Sequence, residues 1–256
     1  MPEAGATTSF PARGVALLRF VSGRPANVMT AGLVGELLAE IARLREYPGL
    51  RVLLVQGADG VFSGGADLTM IGDMDEARYR AYVEAEFELF DTVEQTPFLT
   101  IAVIEGSCLG NAAELALACD LRIASDGARY GFPETRIGFQ GPVTRLIRHV
   151  GLGTAKYLLY SGAVLTADEA RAAGLLTWQV PAAELPGRAL QEAVGLAAMP
   201  AVALQETKQN LAAAFPDAAQ LTANEVASSM RTYRTEDARE GRAAFLAKRP
   251  AVFRGA

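Results

Sequence analysis

The sequence predicts an α/β fold with parallel strands joined by crossovers, and three observations carry that prediction. Short apolar runs recur, VALLRF from 15, VLLVQG from 52 and FLTIAVIEG from 98; each is the length of a strand and too short for a buried helix. Between them lie segments with helical spacing, so strand, helix and strand alternate and neighbouring strands need crossover connections. Half of the 256 residues are hydrophobic, which is enough to bury a large core in one domain, or one domain with an appendage.

Residues 1 to 13, small and polar, are expected as a loose lead-in to the strand Val15 to Phe20, and GRPAN at 23 to 27 is turn chemistry. From Thr30, Leu33, Leu37, Leu38, Ile41 and Leu44 follow a helical repeat that Pro48 and Gly49 stop. VLLVQG is then a buried strand, leading into GADGVFSGGADL, residues 57 to 68. There Gly64 and Gly65 would let the backbone approach a ligand and Ala66 to Leu68 would start a helix, or Asp67 would merely cap a glycine-rich turn. Ala77 to Val93 is an amphipathic helix whose Val83, Phe87, Phe90 and Val93 face the core, with an acyl pocket as the other reading. Farther on, TADE at 166 to 169 is a capping box and Gly174 suits the helix end, so a short helix lies between them before LTWQV, the last strand. Beyond Pro186 the pattern is helical, broken by Pro200 and Pro216. The expected division is 1–195 for the core and 196–256 for a helical region.

Charge and rare residues narrow the function. A net charge of -5 without a basic stripe argues against nucleic acid. Cys108 and Cys119, both in apolar surroundings, suit free thiols in a reducing compartment, and His149 is the only histidine, so a metal site is not expected. No leader-like apolar segment and no run of about 18 apolar residues occurs, and a cytoplasmic protein without membrane contact is the expectation.

The chemistry is expected between Ile104 and Gly138. Ala112 to Cys119 is apolar on every side except at Glu114, so a helix there would desolvate that carboxylate. Gly106, Gly110, Ala112 and Ala113 form a loop entering a helix start, where free N–H groups and the dipole favour negative charge. Glu134 follows Pro133, a common way to open a helix, so taken alone it has a structural explanation, as a buried ion pair would explain Glu114. Together they suggest acid/base chemistry beside an oxyanion.

The order FSGGADL, helix, strand, EGSCLGNAAELALACD, then FPE closely resembles the crotonase superfamily, the enoyl-CoA hydratase/isomerase family, and the resemblance extends from about Val15 through DAREGRAAFLAKRPAVF. It implies a spiral of repeated β-β-α units and a C-terminal helical region that packs trimers, often as dimers of trimers. It also implies two backbone donors for a thioester oxygen, falling here on Ala66 and Asn111, with Gly64, Gly65, Asp67, Leu68 and Gly110 beside the substrate and Lys248 as a candidate near the CoA phosphates. The family's two catalytic glutamates fall on Glu114 and Glu134. Two departures stand out. Gly110-Asn111-Ala112-Ala113-Glu114 replaces a glycine run, so the Asn111 side chain is expected to intrude on open space, and FQGPVTR after Gly138 shortens a glycine-rich loop by about three residues.

The resemblance implies addition or removal of water across an α,β-unsaturated acyl thioester, as in fatty acid metabolism, with Glu114 activating water and Glu134 protonating the α-carbon; the sequence leaves the opposite division open. The substrate would be an acyl-CoA or a carrier-protein thioester, with no cofactor besides the coenzyme A of the substrate, in a homotrimer or homohexamer. Other crotonase reactions, a scaffold subunit, and a serine hydrolase built on Ser63 or Ser107 with His149 are the competing readings.

Overall fold

Alternating side chains decide how the strands are used. The computed structural model describes residues 4–214 and 218–255, without the side chains of 218–220; Pro216 lies outside the described residues. β1 (Gly5–Ala12) and β2 (Val15–Val21) form an antiparallel hairpin, and α1 (Ala31–Arg45), capped by the Thr30 hydroxyl, crosses to β3 (Val52–Gly57). After α2 (Leu68–Gly72) and α3 (Glu76–Glu94) come β4 (Leu99–Ile104), β5 (Ser107–Leu109) and α4 (Asn111–Ala118). Then follow β6 (Leu121–Ser125), β7 (Arg129–Gly131), α5 (Thr144–Ser161), β8 (Val164–Thr166), α6 (Ala167–Ala172) and β9 (Trp178–Val180). The chain closes with α7 (Leu185–Ala197), α8 (Ala201–Ala213), α9 (Ala218–Tyr233) and α10 (Glu236–Leu246).

The strands make a six-stranded sheet in the order β1-β2-β3-β4-β6-β9, parallel except at β1, and a three-stranded sheet in the order β5-β7-β8. Successive turns of chain thus feed one sheet and then the other, as repeated β-β-α units require. In the large sheet Leu53 and Val55 point toward α1, α3 and α4, whereas Val52 and Leu54 join Ile101, Val103 and Ile123 under Leu185, Ala189 and Ala193 of α7. Both faces are covered, which is why these strands read as unbroken apolar runs.

Within the lead-in expected at residues 1 to 13, Gly5–Ala12 is a strand instead. β1 is a half-exposed edge whose ladder hydrogen bonds leave little hydrophobic signature, and the register shift between Ser9 and Ala12 accommodates Pro11. At the other end α9 and α10 return to the core: Tyr233 stacks on Tyr79 with ring centroids 3.9 Å apart, and a Cβ on Gly241 would lie 2.3 Å from the Ile137 carbonyl oxygen.

Candidate active site

Two loops from different strands meet backbone to backbone. Ser63 N–H donates to Ser107 O at 2.8 Å and Leu109 N–H to Ser63 O at 3.1 Å, drawing the chain after β3 against β5. Gly65, at φ +96°, lies so close that a Cβ would sit 2.8 Å from the Leu109 carbonyl oxygen, and Gly110 turns into α4 at φ +59° with room for a Cβ only 3.4 Å from Glu134 Oε1. Each glycine is followed by one of the expected donors. The amides flanking Ala66 are engaged, Gly65 with Ser63 Oγ and Asp67 with Met29 O, but among the described residues no protein oxygen accepts the Ala66 N–H. Asn111 is the first residue of α4, so its N–H has no intrahelical acceptor.

Both residues open onto a cavity of about 470 Å³, together with Gly64, Gly65, Leu68 and Gly110. Val83, Phe87 and Phe90 of α3 form part of its wall, so the aromatic stripe serves the core and the cavity at once. Asp67 and Lys248 do not line it. Asp67 is the cap of α2, accepting from Thr69 N–H and Met70 N–H at 3.1 Å and pairing with Arg24 at 2.8 Å, which corrects its expected place beside substrate. Lys248 is exposed beyond α10, at φ +51°.

Glu114 and Glu134 both line the cavity, in different surroundings. Glu114 is buried at 5% exposure and accepts from Arg145 Nη1 at 3.0 Å; Arg145 also pairs with Glu94 and Asp91 and lies over the Phe90 ring. Burial pushes the Glu114 carboxyl up to about 8 against the pull of that guanidinium. Glu134 is carried by the turn Pro133–Ile137, and among the described residues no cation pairs with it. The residue is only partly enclosed, but its Oε2 is sealed from solvent and has no hydrogen-bond partner. Burial pushes its carboxyl up to about 8, with a further push from Glu86. Gly141, in the loop after Gly138, leaves the space: a Cβ there would come within 3.1 Å of Glu134 Oε2 and 2.9 Å of Leu159 Cδ2.

A third carboxylate in the cavity, Glu86 on α3, has no counterpart in the sequence reading. Its position carries a signal, because Tyr79, Tyr82, Val83, Glu86, Phe87 and Phe90 follow the buried stripe of the helix. Glu86 accepts from Asn111 Nδ2 and stands beside the Tyr82 hydroxyl, and burial pushes its carboxyl up to about 7. Asn111 therefore does not intrude as expected; its side chain turns to α3, where Nδ2 also reaches Tyr82 Oη at 3.0 Å.

His149 has a structural place. Its Nε2 lies 3.2 Å from Leu117 O and its Nδ1 3.4 Å from Arg122, and burial with Arg122 pushes it down to about 4. Neither it nor Ser63 or Ser107 lines the cavity, so the serine-hydrolase reading has no site. Cys108 and Cys119 are free and buried. No helix among the described residues is long and apolar enough to cross a membrane.

A family model described as enoyl-CoA hydratase/isomerase matches residues 11–256. The chain belongs to this family. Among relatives, human enoyl-CoA hydratase domain-containing protein 2, mitochondrial, is 39% identical over 175 residues, 67% of this chain and 60% of the relative. The chain thus spans less than two thirds of that protein's length. The putative enoyl-CoA hydratase/isomerase YngF of Bacillus subtilis is 32% identical over 94% of this chain and 95% of its own. An enoyl-CoA hydratase of Bacillus anthracis superposes with a TM-score of 0.80 at 29% identity, covering 98% of this chain and all of its own. The fold is the family's crotonase fold, with its C-terminal helical region.

Proposed function

We propose that this family member is an enoyl thioester hydratase, acting on an acyl-CoA or a carrier-bound equivalent, and the observation that carries the reading is the unequal partnering of its two glutamates. Arg145 holds positive charge 3.0 Å from Glu114, and among the described residues none is held on Glu134. Burial raises both carboxyls alike; when the pair gives up its first proton the guanidinium favours losing it from Glu114, so Glu134 keeps its proton and Glu114 acts as the base. Water attacks the β-carbon as Glu114 takes its proton; the electron pair of the double bond moves toward the thioester oxygen; Glu134 then delivers its proton to the α-carbon. The N–H groups of Ala66 and Asn111 would receive the developing oxyanion, a contribution of several kcal/mol for such donors in a dry site. The largely apolar wall supplies the dry surroundings and suits an acyl chain.

The test is incubation with a panel of unsaturated acyl-CoAs in heavy water, followed by mass spectrometry of the products. Gain of one heavy water is expected; deuterium exchange without addition, or release of free CoA, would redirect the reading to isomerisation or hydrolysis. Glu114→Gln and Glu134→Gln should each slow water addition by about 100-fold or more while thioester binding persists. Near-normal turnover in either would remove its assigned role.

A further inference from the structure

Glu86 has no step in the proposed hydration, yet it is 8% exposed, lines the reaction cavity and binds the side chain of the residue whose N–H is to hold the oxyanion. A carboxylate is costly to bury without a purpose. Of its two neighbours, the Asn111 amide donates to it and so favours its anionic form, while the Tyr82 hydroxyl donates to Met29 O at 2.9 Å. We propose that Glu86 is a positioning residue of this site: it fixes Asn111 by a side-chain hydrogen bond and, as an anion in the same cavity, keeps the acid proton on Glu134.

The geometry gives both effects a route. Asn111 replaces a residue type that needs no anchor, and without Glu86 its side chain could swing toward the cavity beside Gly65, whose Cβ position is 3.6 Å from Asn111 Oδ1. Asn111 Oδ1 has no partner, so the side chain is held through Nδ2 alone. Glu134 lies against Gly110, one residue away, and its sealed Oε2 has no donor to stabilise a charge. The titratable and charged groups around it are Glu86, Tyr79 and Tyr82 on α3, Glu114 on α4 with Arg145 on α5, and Arg136 in its own turn. From the C-terminal helices come Glu225, whose Oε1 accepts the Val143 and Thr144 amides, and Arg242, whose guanidinium lies over Phe139 and Tyr233. Arg136 is directed at Ser161 O at 3.0 Å. The carboxylates outnumber the cations that line the cavity, and among the described residues Glu86 is held by the Asn111 amide rather than by an ion pair, so its charge can be removed without stranding a cation.

The role in turnover rests on the hydratase reading, so the deciding measurement is made without turnover. Carboxyl resonances of protein labelled with 13C-glutamate are followed through a pH titration, with Glu134 assigned by its loss in Glu134→Gln and Glu86 by its loss in Glu86→Gln. Glu86→Gln keeps an oxygen for Asn111 Nδ2 and removes the charge. Losing a neighbouring anion favours the ionised form of Glu134, so its midpoint should fall by about one unit; an unchanged midpoint overturns the electrostatic role. In the unmodified protein the Glu134 resonance should show a second step where Glu86 titrates, and a single step would overturn that role without any variant. Asn111→Gly removes a donor from Glu86, so the Glu86 midpoint should rise; if it stays, the side-chain latch is wrong. In activity, Glu86→Gln should move the alkaline limb of water addition to lower pH by the same shift. Absence of water addition in every form would defeat the hydratase reading and leave the titration result standing.

Discussion

Gly141 and Glu134 depend on each other. A methyl group at Gly141 would press on both Leu159 and the sealed oxygen of Glu134, so Gly141→Ala should reduce turnover by about tenfold while costing about 1–3 kcal/mol of stability, checked by kinetics beside urea unfolding. Glu134 also links pH to stability. Its carboxyl binds a proton more tightly folded, at about 8, than at the ordinary 4.5. The folded state therefore holds the extra proton between those values, and stability falls as pH rises from 4.5 through 8. Glu134→Gln should thus stabilise the protein by about 1–3 kcal/mol at pH 8 or above and change little near pH 4, read from melting curves across pH. The two cavity glutamates were legible in the sequence, Glu114 because a charge in an apolar helix needs a reason and Glu134 because its spacing matched the family. Glu86 was not, since one acid on an amphipathic helix looks like solvated charge until the buried stripe is seen to run through it.

At the scale of elements, α5 and α3 meet α4 through one guanidinium. Arg145 gathers Asp91 and Glu94 of α3 and Glu114 of α4, at 3% side-chain exposure. Arg145→Met would fill similar volume but leave Glu114 buried without its cation, so it should cost about 3–5 kcal/mol at neutral pH, with part of the loss recovered in Arg145→Met combined with Glu114→Gln. A double-mutant cycle by denaturant unfolding measures this. Pairings of this kind are invisible to sequence reading because the partners are 31 to 54 residues apart and nothing local marks them. The same reason hid β1: its stabilisation comes from the β2 ladder, not from an apolar pattern of its own. The helices α1 and α6 were legible because the apolar repeat of the one and the capping box of the other are local.

The whole molecule leaves large apolar side chains facing outward on its helices. On α8, which buries no side chain, Val202 is 69% and Leu211 65% exposed, and on α5 Tyr157 and Tyr160 are 62% and 77% exposed. A single chain gains little from such faces, and we infer a trimer or hexamer; a monomeric mass by light scattering at working concentration would contradict it. The meeting of Gly65 with Leu109 has a consequence for how the protein gains and loses activity. The two strand ends that create it belong to different sheets, and α9 and α10 supply further wall through Glu225 and Phe245. No autonomous fragment holds the reacting centre, so turnover serves as a reporter of the completed tertiary structure: during refolding it should lag the recovery of helical signal and return only with the last slow phase.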